Sequence, residues 1–149
     1  MHIRNLRKED ENLVKKLVTN VLAEFGWKPS SKYDPDFYDL FGFYRVGKSK
    51  FFVMENRNKI IGSVGIEDKG RGHAELRKFF LYKTYRGKGL GEKLIDHALS
   101  YSRRNRFRSI HILTDSKLVV AISLYQKKGF EIIKKHSNGD IEFILNLQK

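Results

Sequence analysis

Between residues 74 and 113 the sequence passes from a strand-like run, through a turn carrying Gly87, Gly89 and Gly91, into an amphipathic helix and out into a second apolar strand. The helix, residues 89–104, sets Leu90, Leu94, Ile95, Ala98 and Leu99 on one face at α-helical spacing. Strand, helix and strand in this order imply a parallel crossover, because a tight hairpin can only reverse the chain. No other feature restricts the fold as much. Upstream, residues 51–55, a polar turn at Asn56-Arg57-Asn58, residues 59–66, the turn Gly70-Arg71-Gly72 and residues 74–82 read as an antiparallel meander. The sheet must therefore be mixed.

The rest of the chain fits around that sheet. Residues 3–6 form a short opening strand, and Val14, Leu17, Val18, Val21, Leu22 and Phe25 recur at helical spacing behind Glu9 and Asp10. A short second helix is expected to start near Asp34-Pro35-Asp36, where an acidic residue precedes a proline suited to a first helical turn. Residues 119–128 form a further helix stopped by Gly129, and Phe130 opens a closing hairpin that turns at Ser137-Asn138-Gly139-Asp140. With 149 residues, 40% of them hydrophobic, and no internal repeat or linker, one compact domain over residues 1–149 is expected. No run approaches the ~20 apolar residues of a membrane span and no apolar signal region follows Met1, so a cytoplasmic location is expected.

The strand-to-helix turn is suited to anion capture. A helix N-terminus presents unpaired N–H groups and partial positive charge, and glycines let a phosphate approach the main chain. Arg86 and Lys88 add formal charge to the same loop. Its spacing is not that of a P-loop, and it follows antiparallel strands rather than opening a Rossmann unit. Thirty Lys and Arg against 17 acidic residues give a net charge of +13, a field suited equally to nucleic acid or to a phosphorylated cofactor. With no cysteine, an acyl-cysteine intermediate and thiolate metal clusters are excluded, and the five histidines show no paired metal spacing. Gly62-Ser63-Val64-Gly65 is not a nucleophile elbow.

Arg86-x-x-Gly89-x-Gly91 resembles the Arg/Gln-x-x-Gly-x-Gly/Ala signature of the GNAT acetyltransferases, and Ala121-x-x-Leu124-Tyr125-x-x-x-Gly129-Phe130 resembles that family's second conserved helix end. The resemblance extends along nearly the whole chain through the order of elements. It implies an α/β layered fold with a twisted, mostly antiparallel mixed sheet of about six to seven strands and helices on both faces. It also implies acetyl transfer from acetyl-CoA to an amine, without a metal. By the resemblance Phe79, Phe80 and Leu81 hold the pantetheine arm through their main chain. Arg86, Gly87, Lys88, Gly89, Leu90 and Gly91 bind the pyrophosphate, and Tyr125 protonates the departing thiolate. One departure stands out: many members carry an asparagine seven residues before that tyrosine, where this chain has Leu118. A monomer or a homodimer is compatible with the resemblance, and no membrane or specific nucleic-acid partner is implied.

An amine attacks a thioester only when neutral, so a general base is needed near neutral pH. Glu75 is the candidate, since strict alternation along the strand would put it on one face with Leu81, six residues on. The competing role is a strand glutamate paired with a nearby Arg or Lys. His73 and His111 are secondary candidates for the base, and a main-chain N–H near Leu81 would hold the oxyanion. Eight of the 19 aromatic residues fall between Phe25 and Tyr44 (Phe25, Trp27, Tyr33, Phe37, Tyr38, Phe41, Phe43, Tyr44), either lining an acceptor pocket or packing an irregular segment. Asp34, Asp36 and Asp39 either attract a cationic acceptor or start a helix. The run Arg103-Arg104-Asn105-Arg106-Phe107-Arg108 raises a nucleic-acid-binding module as the alternative, without any accompanying recognition motif.

Overall fold

A computed structural model describes residues 1–148 of the chain. The elements run β1 (His2–Asn5), α1 (Glu11–Ala23), α2 (Leu40–Phe43), β2 (Lys50–Asn56), β3 (Lys59–Gly70), β4 (His73–Leu81), α3 (Leu90–Arg104), β5 (Ser109–Asp115), α4 (Val119–Lys127), β6 (Glu131–Lys135) and β7 (Asp140–Asn146). Seven strands form one sheet in the order β1-β2-β3-β4-β5-β7-β6. Every neighbouring pair is antiparallel except β4 and β5, which are the strands joined through α3. Among the described residues no helix is long and apolar enough to cross a membrane.

Alternation along β2 shows how the core divides. Phe52 and Met54 point to one face, where they join Leu94, Ile95, Ala98 and Leu99 of α3 and Ile110, Ile112 and Phe143 of the sheet. Phe51 and Val53 point to the other, against Val14, Leu17, Val18 and Val21 of α1 and Leu40 of α2. Strands covered on both faces carry near-continuous apolar runs, which is why β2 and β3 lack the polar alternation of a half-exposed strand.

Three local expectations shift. The helix expected at residues 34–36 is displaced: Asp36 precedes a 3-10 turn at Phe37–Asp39, and α2 is four residues long with Asp39 accepting the Gly42 N–H at 3.4 Å. β3 continues to Gly70 because its charged end is satisfied, Glu67 by Arg77 and Asp68 by the Lys48 and Gly70 N–H groups. The closing hairpin turns through a three-residue loop, 137–139, in which Gly139 takes φ +99° and the Asn138 side chain accepts the Asp140 N–H.

The most consequential irregularity lies in β4. Arg77 is opposite Gly65 and Phe80 opposite Ser63, so Lys78 and Phe79 together face one residue of β3, and Lys78 has φ +55°. This is a β-bulge, and it inverts the alternation beyond it. Ala74 and Leu76 pack under α3 before the bulge, whereas Phe79 and Leu81 do so after it. Glu75 and Leu81 therefore point to opposite faces, contrary to the strict alternation expected from their spacing.

The bulge is held by charge. Lys78, 7% exposed, places Nζ 2.8 Å from Asp34 and 3.0 Å from the fully buried Asp36, whose other oxygen accepts the Tyr44 hydroxyl at 2.6 Å. The Asp36 contact lies off the hydrogen-bonding direction and is held by charge alone. Burial, and then the Asp36 charge, raise the Tyr44 hydroxyl well above its ordinary pKa, so it remains a donor. Asp34 and Asp36 are thus occupied by Lys78, and Asp39 by its helix cap. Of the two roles open to these aspartates, Asp39 takes the helix start, while Asp34 and Asp36 hold the bulge through Lys78. Lys78→Met keeps the backbone strain but strands two carboxylates. It should lower the unfolding free energy by about 3–5 kcal/mol, the usual cost of removing one partner of a buried pair, measurable by urea denaturation. A loss below about 1 kcal/mol would show the network to be solvated.

Candidate active site

β4 and β5 pair only over His73–Glu75 and Ser109–His111, then part. The gap opens into a cleft of about 1420 Å³, bounded by residues 76–81 of β4, the end of β5, the start of α4 and the segment after α1. Typical small-molecule pockets are about 300–1,000 Å³, so this one has room for two reactants. Tyr82 donates its N–H to Ile61 on the β3 side, so main-chain alternation turns the N–H groups of Phe79 and Leu81 toward the unpaired edge.

At one end of the cleft stands the N-terminus of α3. Gly89 precedes it at φ +80° and Gly87 lies in the loop at φ +77°. A Cβ at either glycine would meet no atom within 4 Å, so open space lies over the loop. No side chain caps the helix, and the N–H groups of Leu90, Gly91 and Glu92 donate to nothing among the described residues. The Leu90 side chain is buried in the core, leaving only its main chain toward the loop. At Gly91 a Cβ would sit 3.4 Å from the Phe79 ring, which ties α3 closely to β4. Lys88 extends over the Tyr85 ring.

Arg86 is placed differently from a free loop cation. Its guanidinium donates to both oxygens of Glu24 at 2.7 and 2.8 Å, and its Nε to the Leu81 carbonyl at 2.9 Å. It joins the end of α1 to the end of β4, and the hydrogen bonds from Arg86 hold the Glu24 carboxyl below its ordinary pKa. Nothing in the linear spacing pointed to Glu24.

Tyr125 is fixed by the way α4 ends. Phe130 donates its N–H to the Tyr125 carbonyl and Gly129 to that of Gln126, with Gly129 at φ +98°, a Schellman cap. The Tyr125 ring lies 5.8–5.9 Å from those of Phe79, Phe130 and Phe143. Although only 4% exposed, it lines the cleft, and its hydroxyl has no hydrogen-bond partner among the described residues. Burial pushes its pKa up, so the hydroxyl stays protonated throughout the neutral range.

Glu75 lines the cleft from the face opposite Leu81. One carboxylate oxygen is 3.2 Å from Arg77 and the other 3.5 Å from His111 Nδ1, directly across the parallel pair. His111 Nε2 reaches Glu142 at 2.7 Å, and His136 bonds the second oxygen of Glu142. Burial alone would raise the Glu75 pKa, but the His111 hydrogen bond and the Arg77 charge bring it below the ordinary value. His111 is raised, first by its bond to Glu75 and then, against burial, by Glu142. His73 stands at the far end of β4 bonded to Ser109 and does not reach the cleft.

Of the eight aromatic residues singled out, Phe25, Trp27 and Tyr33 line the cleft. Phe25 and Trp27 stack at 4.9 Å, Lys117 lies over Trp27, and the Tyr33 hydroxyl donates to Asp140, so this segment bridges to the opposite wall. Phe37, Phe43 and Tyr44 pack under α1 instead. Leu118 lines the cleft beside Val119 and Val120, making the start of α4 an apolar rim. Among the described residues no group of three or more His, Asp or Glu is placed to hold a metal ion.

The mixed sheet thus splits between β4 and β5, with an uncapped helix terminus at the split. The acetyltransferase (GNAT) family model matches residues 16–130, and the chain belongs to that family. It is similar to the uncharacterised N-acetyltransferase YjgM of Escherichia coli K12, at 29% identity over 137 residues, covering 88% of this chain and 82% of the relative. Further curated relatives match over 38% to 61% of their own length. A GNAT acetyltransferase of Staphylococcus aureus Mu50 superposes with a TM-score of 0.88 at 22% identity over 99% of both chains. YncA, a putative acetyltransferase of Salmonella typhimurium solved with acetyl-CoA, superposes at 0.79 and 17% identity over 100% of this chain and 95% of that one.

Proposed function

We propose that the chain transfers an acetyl group from acetyl-CoA to a primary amine by direct attack in a ternary complex. The observation that carries this reading is that the glycine-framed, uncapped N-terminus of α3 and the unpartnered Tyr125 hydroxyl open on one cleft. The free N–H groups of residues 90–92 suit the pyrophosphate, and the open edge of Phe79–Leu81 suits an amide-bearing arm. The apolar rim at Leu118–Val120 offers that arm packing in place of a polar contact.

The amine nitrogen forms its bond to the thioester carbonyl carbon while the Leu81 N–H holds the oxygen that becomes negative. Glu75 accepts the amine proton and passes it to His111. The carbon–sulfur bond then breaks with its electron pair going to sulfur, Tyr125 donates its proton there, and the proton held by His111 returns through solvent to the Tyr125 oxygen once the products leave. Without a cysteine, no acyl-cysteine form of the enzyme intervenes. Calorimetric titration tests the cofactor half of the reading. Acetyl-CoA should bind at least about tenfold more tightly than ATP, or 1.4 kcal/mol, and equal affinities would overturn it. A panel of primary amines, followed by mass for the gain of one acetyl group, tests the other half.

The Glu75–His111 pair sets the pH dependence. Transfer needs His111 neutral, so kcat/KM should rise with pH through a value above the ordinary histidine pKa of about 6.5. Glu142→Gln removes one of the two carboxylates that raise His111 and should move that limb to lower pH; His111→Gln should abolish it. Superimposable profiles for all three proteins with one amine would refute the assignment. Because the folded-state pKa of His111 is raised, its contribution to stability is present below about pH 6.5 and fades as pH rises through the folded value.

A further inference from the structure

The pole of the molecule away from the cleft carries a charge that acetyl transfer does not use. Three segments converge there: the loop before β2, the turn between β3 and β4, and the run that follows α3. Lys48 Nζ donates to the Asn105 carbonyl at 3.0 Å, Tyr101 donates to the Lys48 carbonyl, and Arg108 donates its main-chain N–H to Gly72 at 2.6 Å. Together they present Lys48, Arg71, Arg103, Arg104, Arg106 and Arg108, all exposed and none within 4.0 Å of a carboxylate among the described residues. Asp68, the nearest acid in these segments, is spent on main-chain N–H groups. The 15 residues of α3 put this pole about 22 Å from the glycine loop at 1.5 Å per residue.

The helix dipole accounts for Arg103 and Arg104 in the last turn of α3, but not for the others, which lie outside any helix. Arg71 and Arg106 moreover hold φ of +57° and +62°, where glycine would sit without strain. Five of the six cations are arginines, whose planar fork matches phosphate oxygens in pairs. Among the described residues no exposed Phe, Tyr or Trp ring lies at the pole, Tyr33 and Tyr38 being elsewhere in the chain, and the exposed imidazole there, His73, is held by the Ser109 hydroxyl at 2.7 Å. Stacking on unpaired bases is therefore not provided for. Among the described residues Val46 is the single large exposed apolar residue nearby, too little to enter a bilayer.

We propose that this arginine pole is a second binding surface, which docks the phosphate backbone of a double-stranded nucleic acid without reading its sequence. Held there, the chain keeps its cleft on the opposite side, free to receive cosubstrate and amine. The surface is independent of the chemistry assigned to the cleft, and its test does not depend on that assignment.

Fluorescence anisotropy with labelled short RNA and DNA duplexes of arbitrary sequence, between about 50 and 200 mM salt, provides the test. Log K should fall against log salt with a slope near −4 or steeper, about 0.9 for each phosphate contacted. The quadruple variant Arg103→Gln, Arg104→Gln, Arg106→Gln, Arg108→Gln should flatten that slope by about 3.6 and weaken binding at least about 100-fold at low salt, with a melting temperature within about 4 °C of the parent's. An equal charge change at exposed positions on other elements (Lys16, Lys59, Lys134 and Lys135 to Gln) should have far less effect. The RNA and DNA arms decide which duplex is preferred. The proposal fails if saturating acetyl-CoA displaces the duplex, if the control variant weakens binding equally, or if single strands or phosphatidylserine vesicles bind more tightly than either duplex.

Discussion

Gly89→Asp should bind acetyl-CoA about 100- to 1,000-fold more weakly than the parent chain while folding as well as it does. The two halves of that expectation have separate causes. Gly89 stands immediately before α3 with open space where a side chain would project, and the N–H groups beyond it are unpaired. A carboxylate there would compete for those groups. It would also repel a pyrophosphate by about 4 kcal/mol per pair of charges 4 Å apart at an effective dielectric of 20, reduced by whatever freedom the side chain has to turn away. Yet aspartate is among the best residues at a helix N-cap and tolerates left-handed backbone better than most, so the φ of +80° is only mildly penalised. Gly89→Ala separates the effects: it carries the backbone strain without the charge and should lose much less affinity. Calorimetry with acetyl-CoA, beside thermal melting of both variants, reads the result. Normal affinity in the aspartate variant would move the cofactor away from this loop.

What the sequence disclosed and what it withheld follow the range of the interactions concerned. The order of strands and helices was legible because each rests on local period and on turn residues, and Gly129 marked the end of α4 as clearly as Gly89 marked the start of α3. The parallel pair could be read from the α3 crossover alone. The bulge at Lys78 could not, since nothing in a lysine between Arg77 and Phe79 announces a positive φ. Its cause is two aspartates more than forty residues earlier in the chain. The same distance hid the Glu24–Arg86 pair and the line from Glu75 through His111 to Glu142. By sequence Glu75 is either a base or a strand glutamate paired with a cation. In the fold it is paired, with Arg77, and it also lines the cleft, two placements that its position in the sequence does not separate.

Tyr125→Phe should lower kcat by about 100-fold or more, within the usual range for loss of a proton donor, and leave acetyl-CoA affinity nearly unchanged. The hydroxyl makes no hydrogen bond to the protein among the described residues and sits in an aromatic setting, so removing it strands no partner. Unfolding stability should hold or rise slightly. The raised pKa adds a further mark: the group stays protonated, so the parent enzyme should show no alkaline limb from it below about pH 10. A free thiol has a pKa of about 8.5, and the burial that raises Tyr125 would raise a neighbouring thiolate as well, so the donor's higher pKa is offset by a more basic acceptor. The deficit should therefore depend on the leaving group. With an acetyl thioester of a more acidic thiol, which departs without help, Tyr125→Phe and the parent chain should approach the same rate. A deficit of equal size with both donors would mean that the ring packs the site and the hydroxyl does no chemistry.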